Sequence, residues 1–282
     1  MKVSRAERTA NYVILGAFAL FALIPILTIL QAALGPSDAG PSNTAGTGIG
    51  NQGGFAGLHL ENFIEAWQVG HFGQYMRMSF LVSASVVVVS VGLSILSGFA
   101  FGTMRFRGST VLFYLFLLGI MMPSEAIVVP LYFDLRTLGL TDTFWAVALP
   151  QVAQSVAFGT FWMRAYFRSS NRSLIEAARL DGASNRRILW QVLVPLARPA
   201  VLTLTVLVFM WTWNEFLIPL VMVTDESLRT APLGLAFFQG QYTQGFTLLA
   251  AGAVIVATPV VALYLILQRH FIAGMLEGAV RE

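Results

Sequence analysis

The decisive stretch of this chain is residues 79–103, which read SFLVSASVVVVSVGLSILSGFAFGT and contain no charged side chain. About 20 helical residues cross the roughly 30 Å hydrocarbon core of a bilayer, and this stretch is longer than that. Lipid offers no partners for free backbone N–H and C=O groups, so a segment of this kind has to be helical. It also lacks the strict alternation of a membrane β-barrel strand. Residues 79–103 therefore predict a transmembrane helix.

Five more apolar segments of similar length accompany this one, at residues 12–34, 110–131, 144–166, 200–222 and 247–267. Of the 282 residues, 56% are hydrophobic and only 11% are charged. A soluble domain carries about 25% charged residues, so this chain cannot cover the surface of a large soluble protein. We therefore predict an all-α, polytopic membrane protein with six transmembrane helices.

The positive charges are distributed unevenly among the segments that connect these helices. If the N-terminus lies inside, only three of the 17 lysines and arginines fall outside, namely Arg77, Arg136 and Arg229. Cytoplasmic loops are enriched in Lys and Arg, so both termini are predicted to be cytoplasmic. The resulting layout is a cytoplasmic N-terminus at 1–11, a first span at 12–34, an external loop at 35–78, a five-span core at 79–267 that includes a cytoplasmic loop at 167–199, and a cytoplasmic tail at 268–282.

The N-terminal part of the chain allows alternatives at two places. The apolar core from Tyr12 to about Leu30 is longer than the roughly 7–15 residues of a signal peptide, and no Ala-x-Ala site follows it, which favours a retained span over a cleaved signal. Within the external loop, Gly35 to Gly57 has the composition of a Gly/Ser-rich linker. Residues 58–72 then carry apolar side chains at helical spacing, which predicts either a short amphipathic helix at the outer interface or an irregular loop.

A polar, basic loop between the fourth and fifth apolar segments has a pattern of its own. Residues 173–199 read SLIEAARLDGASNRRILWQVLVPLARP. Ser173 and Glu176 fit a capping box at the start of a short helix. Gly182 can adopt the left-handed conformation that stops this helix.

The second half of the same loop predicts another short helix. Ser184 can cap its start, and Pro195 is expected to end it because proline has no amide donor. The loop is thus predicted to be two short helices joined by a glycine turn. Taken singly, each of these residues has a plain structural explanation, as a cap, a turn or a positive charge that keeps the loop inside.

The combined spacing is more specific than any single residue. Glu176-Ala177-Ala178, then Asp181-Gly182-Ala183, then Pro195 resemble the cytoplasmic EAA loop of permease subunits from bacterial ABC importers. Val192 and Val194 depart from the Ile and Leu of that pattern, and both are conservative in shape. The resemblance covers roughly residues 58–282 and points to the carbohydrate-uptake branch, similar to the maltose-type permeases.

The resemblance implies a mechanical role for the loop. In that family the Glu-Ala-Ala helix is a coupling helix that inserts in a groove of a separate ATPase subunit. It implies a contact with the ATPase through Glu176, Ala177, Ala178, Asp181, Gly182 and Pro195.

The resemblance also implies the partners of an importer in the bacterial cytoplasmic membrane. They are a second, homologous permease subunit, two ATP-binding subunits, an extracellular or lipid-anchored solute-binding protein, and the lipid bilayer. ATP and Mg are then used by the partner ATPase, and this chain itself binds no cofactor or metal. No nucleic-acid partner is expected, since no basic face on a soluble domain is visible.

Asn214 and Glu215 fall within the fifth predicted span and are candidates for the translocation path. A charge at the centre of a membrane helix costs about 2.5–3.5 kcal/mol on insertion scales, and such residues usually face a bundle interior or a water path. A structural hydrogen bond to a neighbouring helix explains the two residues equally well.

The fourth predicted span contributes two further polar candidates. Gln151 and Gln154 are three residues apart and share a helix face. They either bind sugar hydroxyls or join neighbouring helices, and the second alternative is favoured. Trp162 and Tyr166, near the end of the same span, are expected to be interface anchors rather than stacking platforms for a sugar.

Missing motifs exclude most enzyme classes. Lys2 is the only lysine, so the phosphate-binding pattern Gly-x-x-x-x-Gly-Lys is impossible. No predicted span contains an aspartate, and neither His-Glu-x-x-His nor Gly-x-Ser-x-Gly occurs. Together with the resemblance, this predicts a non-enzymatic permease subunit that imports a sugar or oligosaccharide. The alternative is the same machinery importing glycerol 3-phosphate or a glycerophosphodiester, and a distant alternative is a stand-alone secondary carrier.

Overall fold

The computed structural model describes residues 5–36, 58–241 and 246–279, and every regular element in those ranges is a helix. The glycine-rich part of the predicted linker and the ends of the chain, including Lys2, lie outside the described residues. The chain divides into two units, one formed by Met1–Gly73 with Gly234–Thr258 and the other by Gln74–Leu233 with Pro259–Glu282.

Twelve helices are described in chain order. They are α1 (Arg5–Ala33), α2 (Glu61–Val69), α3 (Phe72–Thr103), α4 (Ser109–Met121), α5 (Ser124–Thr137), α6 (Phe144–Ser169), α7 (Arg172–Leu180), α8 (Asn185–Leu196), α9 (Arg198–Asn214), α10 (Leu217–Met222), α11 (Ala231–Gln241) and α12 (Phe246–Ala279). A single 3₁₀ turn, Glu226–Leu228, lies between α10 and α11. The helix α2 confirms that a short helix, rather than an irregular loop, follows the linker.

In the first unit, side-chain hydrogen bonds close the end of α1. Asn62 of α2 is buried, and its Nδ2 donates to the carbonyl oxygens of Ala33 and Gly35, both at 2.9 Å. Thr247 at the start of α12 donates to the carbonyl oxygen of Pro36 at 3.2 Å. The last carbonyls of a helix have no partner within the helix, and the bond to Ala33 satisfies one of them. The bonds to Gly35 and Pro36 hold the two residues that follow the helix.

In the second unit, α3 and α6 approach each other at small residues. The hydroxyls of Ser97 and Thr160 lie 2.6 Å apart across the helix pair. Gly98 leaves no room for a side chain, because a Cβ atom there would lie 2.5 Å from Met163 Cβ and 2.9 Å from the backbone nitrogen of Arg164. Small residues allow membrane helices to pack closely enough for dispersion and hydrogen bonding to hold them together.

The described helices account for part of the six predicted spans. Three of them are long and apolar enough to cross a membrane: α1 from Glu7 onward, α3, and α12 as far as Gln268. The number rises to five if each of two bent pairs is one span, α4 with α5 (bent by 101°) and α8 with α9 (bent by 79°). The predicted span 144–166 is one helix, α6. Because of its polar residues, α6 is not among the helices that are apolar enough to cross a membrane. The count of six and the side on which the termini lie stay predictions.

Two of the predicted spans are broken rather than continuous. Within 110–131, α4 ends at Met121 and α5 begins at Ser124, with Met122 in extended backbone (ψ 120°). The ring of Pro123 disfavours a helical conformation in the residue before it, which explains the break. Within 200–222, the backbone is extended at Glu215 (ψ 125°), and α9 and α10 lie on either side.

A carboxylate fastens the loop before α6 to the loop after α10. Asp142 Oδ1 accepts hydrogen bonds from the backbone N–H groups of Thr224 at 2.8 Å and Asp225 at 2.9 Å, and Oδ2 accepts one from the Thr224 hydroxyl at 2.9 Å. The backbone N–H groups of Asp225 and Thr224, followed by that hydroxyl, lower the pKa of Asp142 below its ordinary value. Hydrogen bonds to the ionised form have this effect because protonation would remove an acceptor.

The lowered pKa makes the strength of this fastening depend on pH. The stabilisation is fully present above the unfolded-state pKa of an aspartate, about 3.9, and is lost as the pH falls through the lower folded-state value.

We expect Asp142→Asn to speed hydrogen exchange at the amides of Thr224 and Asp225 at neutral pH, measured by mass spectrometry. Asp134→Asn is the control, because no hydrogen bond of its side chain is found within the described chain. Unchanged exchange in Asp142→Asn would show that the carboxylate does not hold the loop.

Candidate functional site

The loop between α6 and α9 contains the two predicted short helices, α7 and α8. The N-terminus of α7 differs from the prediction. Asn171 is the capping residue, and its Oδ1 accepts hydrogen bonds from the backbone N–H of Ser173 at 3.1 Å and from the Ser173 hydroxyl at 2.9 Å. The helix therefore begins at Arg172, and the predicted capping box of Ser173 with Glu176 is wrong. Glu176 lies too far into the helix to reach back to the cap.

The turn after α7 confirms the prediction that Gly182 stops this helix in the left-handed conformation. Its φ of +76° lies in the left-handed region, where residues with a Cβ atom are strained. The N–H of Gly182 bonds to the carbonyl of Arg179 at 3.0 Å, and the N–H of Ala183 bonds to that of Ala178 at 2.9 Å. This pair of bonds is the Schellman motif, which satisfies the last carbonyls of a helix. A Cβ on Gly182 would meet no atom within 4 Å, so the requirement for glycine comes from the backbone alone.

The helix α8 begins as predicted but ends later. The Ser184 hydroxyl caps it by accepting from the N–H of Arg187 at 3.4 Å. Pro195 was expected to end the helix, yet it lies inside the last turn, Val194–Leu196. The preceding segment, Ile188–Leu193, is π-helical. The wider π turn lets the helix continue past a residue that cannot donate a hydrogen bond, so the prediction for Pro195 is wrong.

The inner face of the helix pair is fixed in the apolar core of the second unit. Ile175 of α7 and Ile188, Leu189 and Leu193 of α8 are buried in one cluster with residues of α6, such as Phe167. An amphipathic helix with such a face is held in place by the area it removes from water. The pair is therefore a rigid projection with a fixed orientation.

The outer face of α7 carries most of the predicted coupling residues. Glu176, Ala177, Asp181 and Gly182 are exposed, as is Pro195 in α8. Ala178 differs from them, because it is half-buried and packs against the core cluster.

The structure adds two leucines to this outer face. Leu180 is 89% exposed and Leu174 is 44% exposed, although both belong to a helix with a well-buried apolar stripe. The sequence pattern groups Leu174 with Ile175 and Ala178 in the apolar stripe, but the structure leaves Leu174 exposed; Leu180 is an apolar residue outside that stripe. Together with the small side chain of Ala177 they form an apolar patch beside the carboxylates of Glu176 and Asp181. We name this group, Leu174, Glu176, Ala177, Leu180, Asp181 and Gly182, the outer α7 surface.

Each of the four predicted translocation residues makes a hydrogen bond of its own, and none of these bonds joins two of the four. Gln154 Nε2 donates to the Ser124 hydroxyl at 3.2 Å, so it joins α6 to α5. Asn214 Nδ2 donates to the carbonyl of Met210 in its own helix at 2.8 Å. Glu215 accepts the N–H of Ile218 at 3.0 Å and thereby caps α10. These bonds give the three residues structural roles, and a place in the translocation path stays a prediction.

Gln151 differs from the other three because it is buried. It is 4% exposed, and its Nε2 donates to the carbonyl of Val147 at 2.9 Å. Its Oε1 has no hydrogen-bond partner within the described part of the chain. In those same ranges, no three His, Cys, Asp or Glu side chains are placed to hold a metal ion.

The chain thus combines helices that are long and apolar enough to cross a membrane with a pair of short helices whose inner face is buried and whose outer face is exposed. The chain belongs to the family of binding-protein-dependent transport system inner membrane components, whose sequence pattern matches residues 90–277. Members of this family are transport components rather than enzymes. The predicted resemblance to ABC importer permeases is confirmed.

Individual relatives agree with this membership. The chain is 34% identical to the probable ABC transporter permease protein YurM of Bacillus subtilis, over 79% of this chain and 74% of YurM. It is 32% identical to the arabinooligosaccharides transport system permease protein AraQ of Halalkalibacterium halodurans, over 93% of this chain and 92% of AraQ. Among solved structures it is similar to a bacterial ABC transporter involved in the import of the acidic polysaccharide alginate. That similarity has a TM-score of 0.77 and 26% identity over 96% of this chain and 99% of the matched chain.

Proposed function

We propose that this chain is a permease subunit of an ATP-driven ABC importer and carries a sugar or oligosaccharide across the bacterial cytoplasmic membrane. The observation that carries the proposal is the exposed outer α7 surface on a helix pair whose inner face is buried. Support for a carbohydrate solute comes from similar proteins that are named for oligosaccharide or polysaccharide import.

The proposed assembly contains a second, homologous permease subunit, two ATP-binding subunits and an extracellular or lipid-anchored solute-binding protein. The ATP-binding subunits use ATP and Mg, and this chain supplies no cofactor site. The excess of Lys and Arg in the segments assigned to the inside supports a cytoplasmic position for both termini and for the loop 167–199.

The proposed mechanism is a shift between two conformations of the membrane helices. ATP closes the pair of ATP-binding subunits, and this closure displaces the α7 helices that are docked on them. The docked surface has to interact differently with the ATPase in the inward-open and outward-open states, because a partner that binds both states equally shifts nothing. The buried inner face of α7 and α8 ensures that the displacement reaches the membrane helices rather than the loop alone.

We expect Glu176→Lys to weaken attachment of the ATP-binding subunit by about tenfold or more. Reversing a charge at an interface replaces an attraction by a repulsion and slows association. The measurement is recovery of the ATP-binding subunit in a pull-down on the tagged permease, repeated over a range of salt concentrations.

Glu65→Lys is the matched control for this prediction. Glu65 is also an exposed helical glutamate, but it lies on α2, outside the proposed docking surface. Equal recovery with Glu176→Lys and wild type would contradict docking through α7.

The identity of the transported solute is tested with the complete transporter and its solute-binding protein. Binding to that protein, and uptake by cells, are measured for trehalose, maltose, arabino-oligosaccharides, alginate oligosaccharides and sn-glycerol 3-phosphate. We expect one of the sugars to bind and to be taken up in an ATP-dependent manner. Uptake restricted to glycerol 3-phosphate would support the alternative solute, and uptake by this chain without any ATP-binding subunit would support a stand-alone carrier.

A further inference from the structure

The junction between α8 and α9 is a sharp bend that lies directly between the docking loop and a membrane helix. The two helices meet at Ala197, and their axes differ by 79°. Pro199 lies in the first turn of α9, where its missing N–H removes no helical hydrogen bond. A bend of this kind absorbs motion as a hinge unless other contacts fix its angle.

Two side chains of α6 bond to the backbone on either side of this bend. The Tyr166 hydroxyl donates to the carbonyl oxygen of Leu196, the last residue of α8, at 2.7 Å. Trp162 Nε1 donates to the carbonyl oxygen of Ala200, in the first turn of α9, at 3.0 Å. Trp162 and Tyr166 are four residues apart and therefore share one face of α6. Helix ends leave carbonyl groups without helical partners, and Tyr166 supplies a donor to one of them.

Aromatic packing continues this connection along α6 and α9. Phe158 stacks on Trp162 with ring centroids 6.1 Å apart. Phe158 also makes a T-shaped contact with Trp211 of α9, at a centroid distance of 4.8 Å and an interplanar angle of 77°. The bend is thus held by α6 through two hydrogen bonds and an aromatic row.

We propose that Tyr166 and Trp162 are positioning residues that fix the angle between α8 and α9, so that displacement of the docking loop moves α6 and α9 as one body. This inference rests on the proposed function, because it assigns a path to the motion that the ATP-binding subunit produces. The proposed role of these two residues requires no contact with nucleotide or solute. They act by preventing the bend from taking up the motion.

The test uses the whole transporter in nanodiscs and measures distances by double electron–electron resonance. The chain has no cysteine, so spin labels can be attached at two introduced cysteines without background from this subunit, and the labelled subunit is then assembled with its unlabelled partners. Gln191→Cys on α8 and Leu149→Cys on α6 are both exposed and lie outside the outer α7 surface. The distance between them is compared in the nucleotide-free complex and in the complex trapped with ATP and vanadate.

With the wild-type sequence at Tyr166, we expect one narrow distance distribution that is the same in both states. In Tyr166→Phe and in Trp162→Phe, which each remove one donor, we expect the distribution to broaden and to shift when nucleotide is trapped. Tyr12→Phe is the control, because Tyr12 is an exposed residue of α1 and the substitution removes the same hydroxyl. Recovery of the ATP-binding subunit and the rate of ATP hydrolysis are measured on the same samples.

Distinct outcomes overturn the inference and the proposed function. A complex that hydrolyses ATP and gives identical distances in wild type, Tyr166→Phe and Trp162→Phe would overturn the role of the bend alone. Loss of the ATP-binding subunit from both variants would also overturn it, since the bonds would then act on docking rather than transmission. A wild-type chain that binds no ATP-hydrolysing partner would overturn the proposed function and this inference together.

Discussion

Replacing Gly182 with valine is expected to abolish solute uptake while the protein still inserts into the membrane. The left-handed region costs an ordinary residue about 1–2 kcal/mol, and a β-branched residue is still less compatible with it. Valine would therefore break the turn bonds of Gly182 and Ala183, and α7 would lose its fixed direction. The buried residues of α7 and α8 are unchanged, so insertion and the core should survive. Uptake and membrane content are measured in the same cells.

Gly139→Val provides a matched control for this experiment. Gly139 ends α5 with a φ of +67°, and a Cβ there would also meet no atom within 4 Å. Its turn contains the same pair of bonds, from Gly139 N–H to the Arg136 carbonyl at 3.0 Å and from Leu140 N–H to the Leu135 carbonyl at 2.9 Å. Both variants carry the same backbone strain, but only Gly182 lies on the outer α7 surface. Normal uptake with Gly182→Val would count heavily against coupling through α7, and equal losses in both variants would indicate general strain.

The second large effect is expected at the contact of α3 with α6. Gly98→Val should prevent the protein from accumulating in the membrane, because its Cβ would lie 2.5 Å from Met163 Cβ and 2.9 Å from backbone. Overpacking of this kind typically costs about 1–3 kcal/mol, and more where backbone has to move. The measurements are the amount of protein in the membrane fraction and the melting temperature of the purified protein in detergent.

Gly92→Val separates packing from helix propensity in this prediction. Gly92 lies on the same helix, α3, and a Cβ there would meet nothing within 4 Å. Because valine replaces glycine on one helix in both variants, only the contact with α6 differs. We expect Gly92→Val to accumulate like wild type. Similar accumulation of the Gly98 and Gly92 variants would show that the two helices tolerate a wider separation.

Features that depend on the local chain could be predicted from the sequence. The apolar segments were correctly predicted to be helical because lipid offers backbone N–H and C=O groups no hydrogen-bond partners. Gly182 and Ser184 were predicted correctly because a left-handed turn and a cap each depend on a few neighbouring residues. The prediction of the residue that caps α7 was wrong because two nearby residues are equally suitable as the cap. Asn171 and Ser173 are both good caps, and the sequence does not show which one the chain uses.

Features that depend on distant residues could not be predicted in this way. The partner of Gln154 is Ser124, thirty positions away, and spacing along one helix does not reveal it. Trp162 and Tyr166 were expected as interface anchors, and nothing in their neighbourhood indicates that they donate to the bend at Ala197. Pro195 was expected to end its helix, but the π-helical turn before it, which depends on packing of Ile188 and Leu193, carries the helix past it.

The break between α4 and α5 restricts what can surround this part of the chain. Peptide groups that leave a helix at membrane depth need hydrogen-bond partners, which acyl chains do not offer. Met121, Met122 and Pro123 are nevertheless exposed in the isolated subunit. If α4 and α5 together form one span, these three residues are surrounded in the working transporter by either another polypeptide or a water-filled vestibule. In both cases the 101° bend marks a boundary where the annular lipid ends.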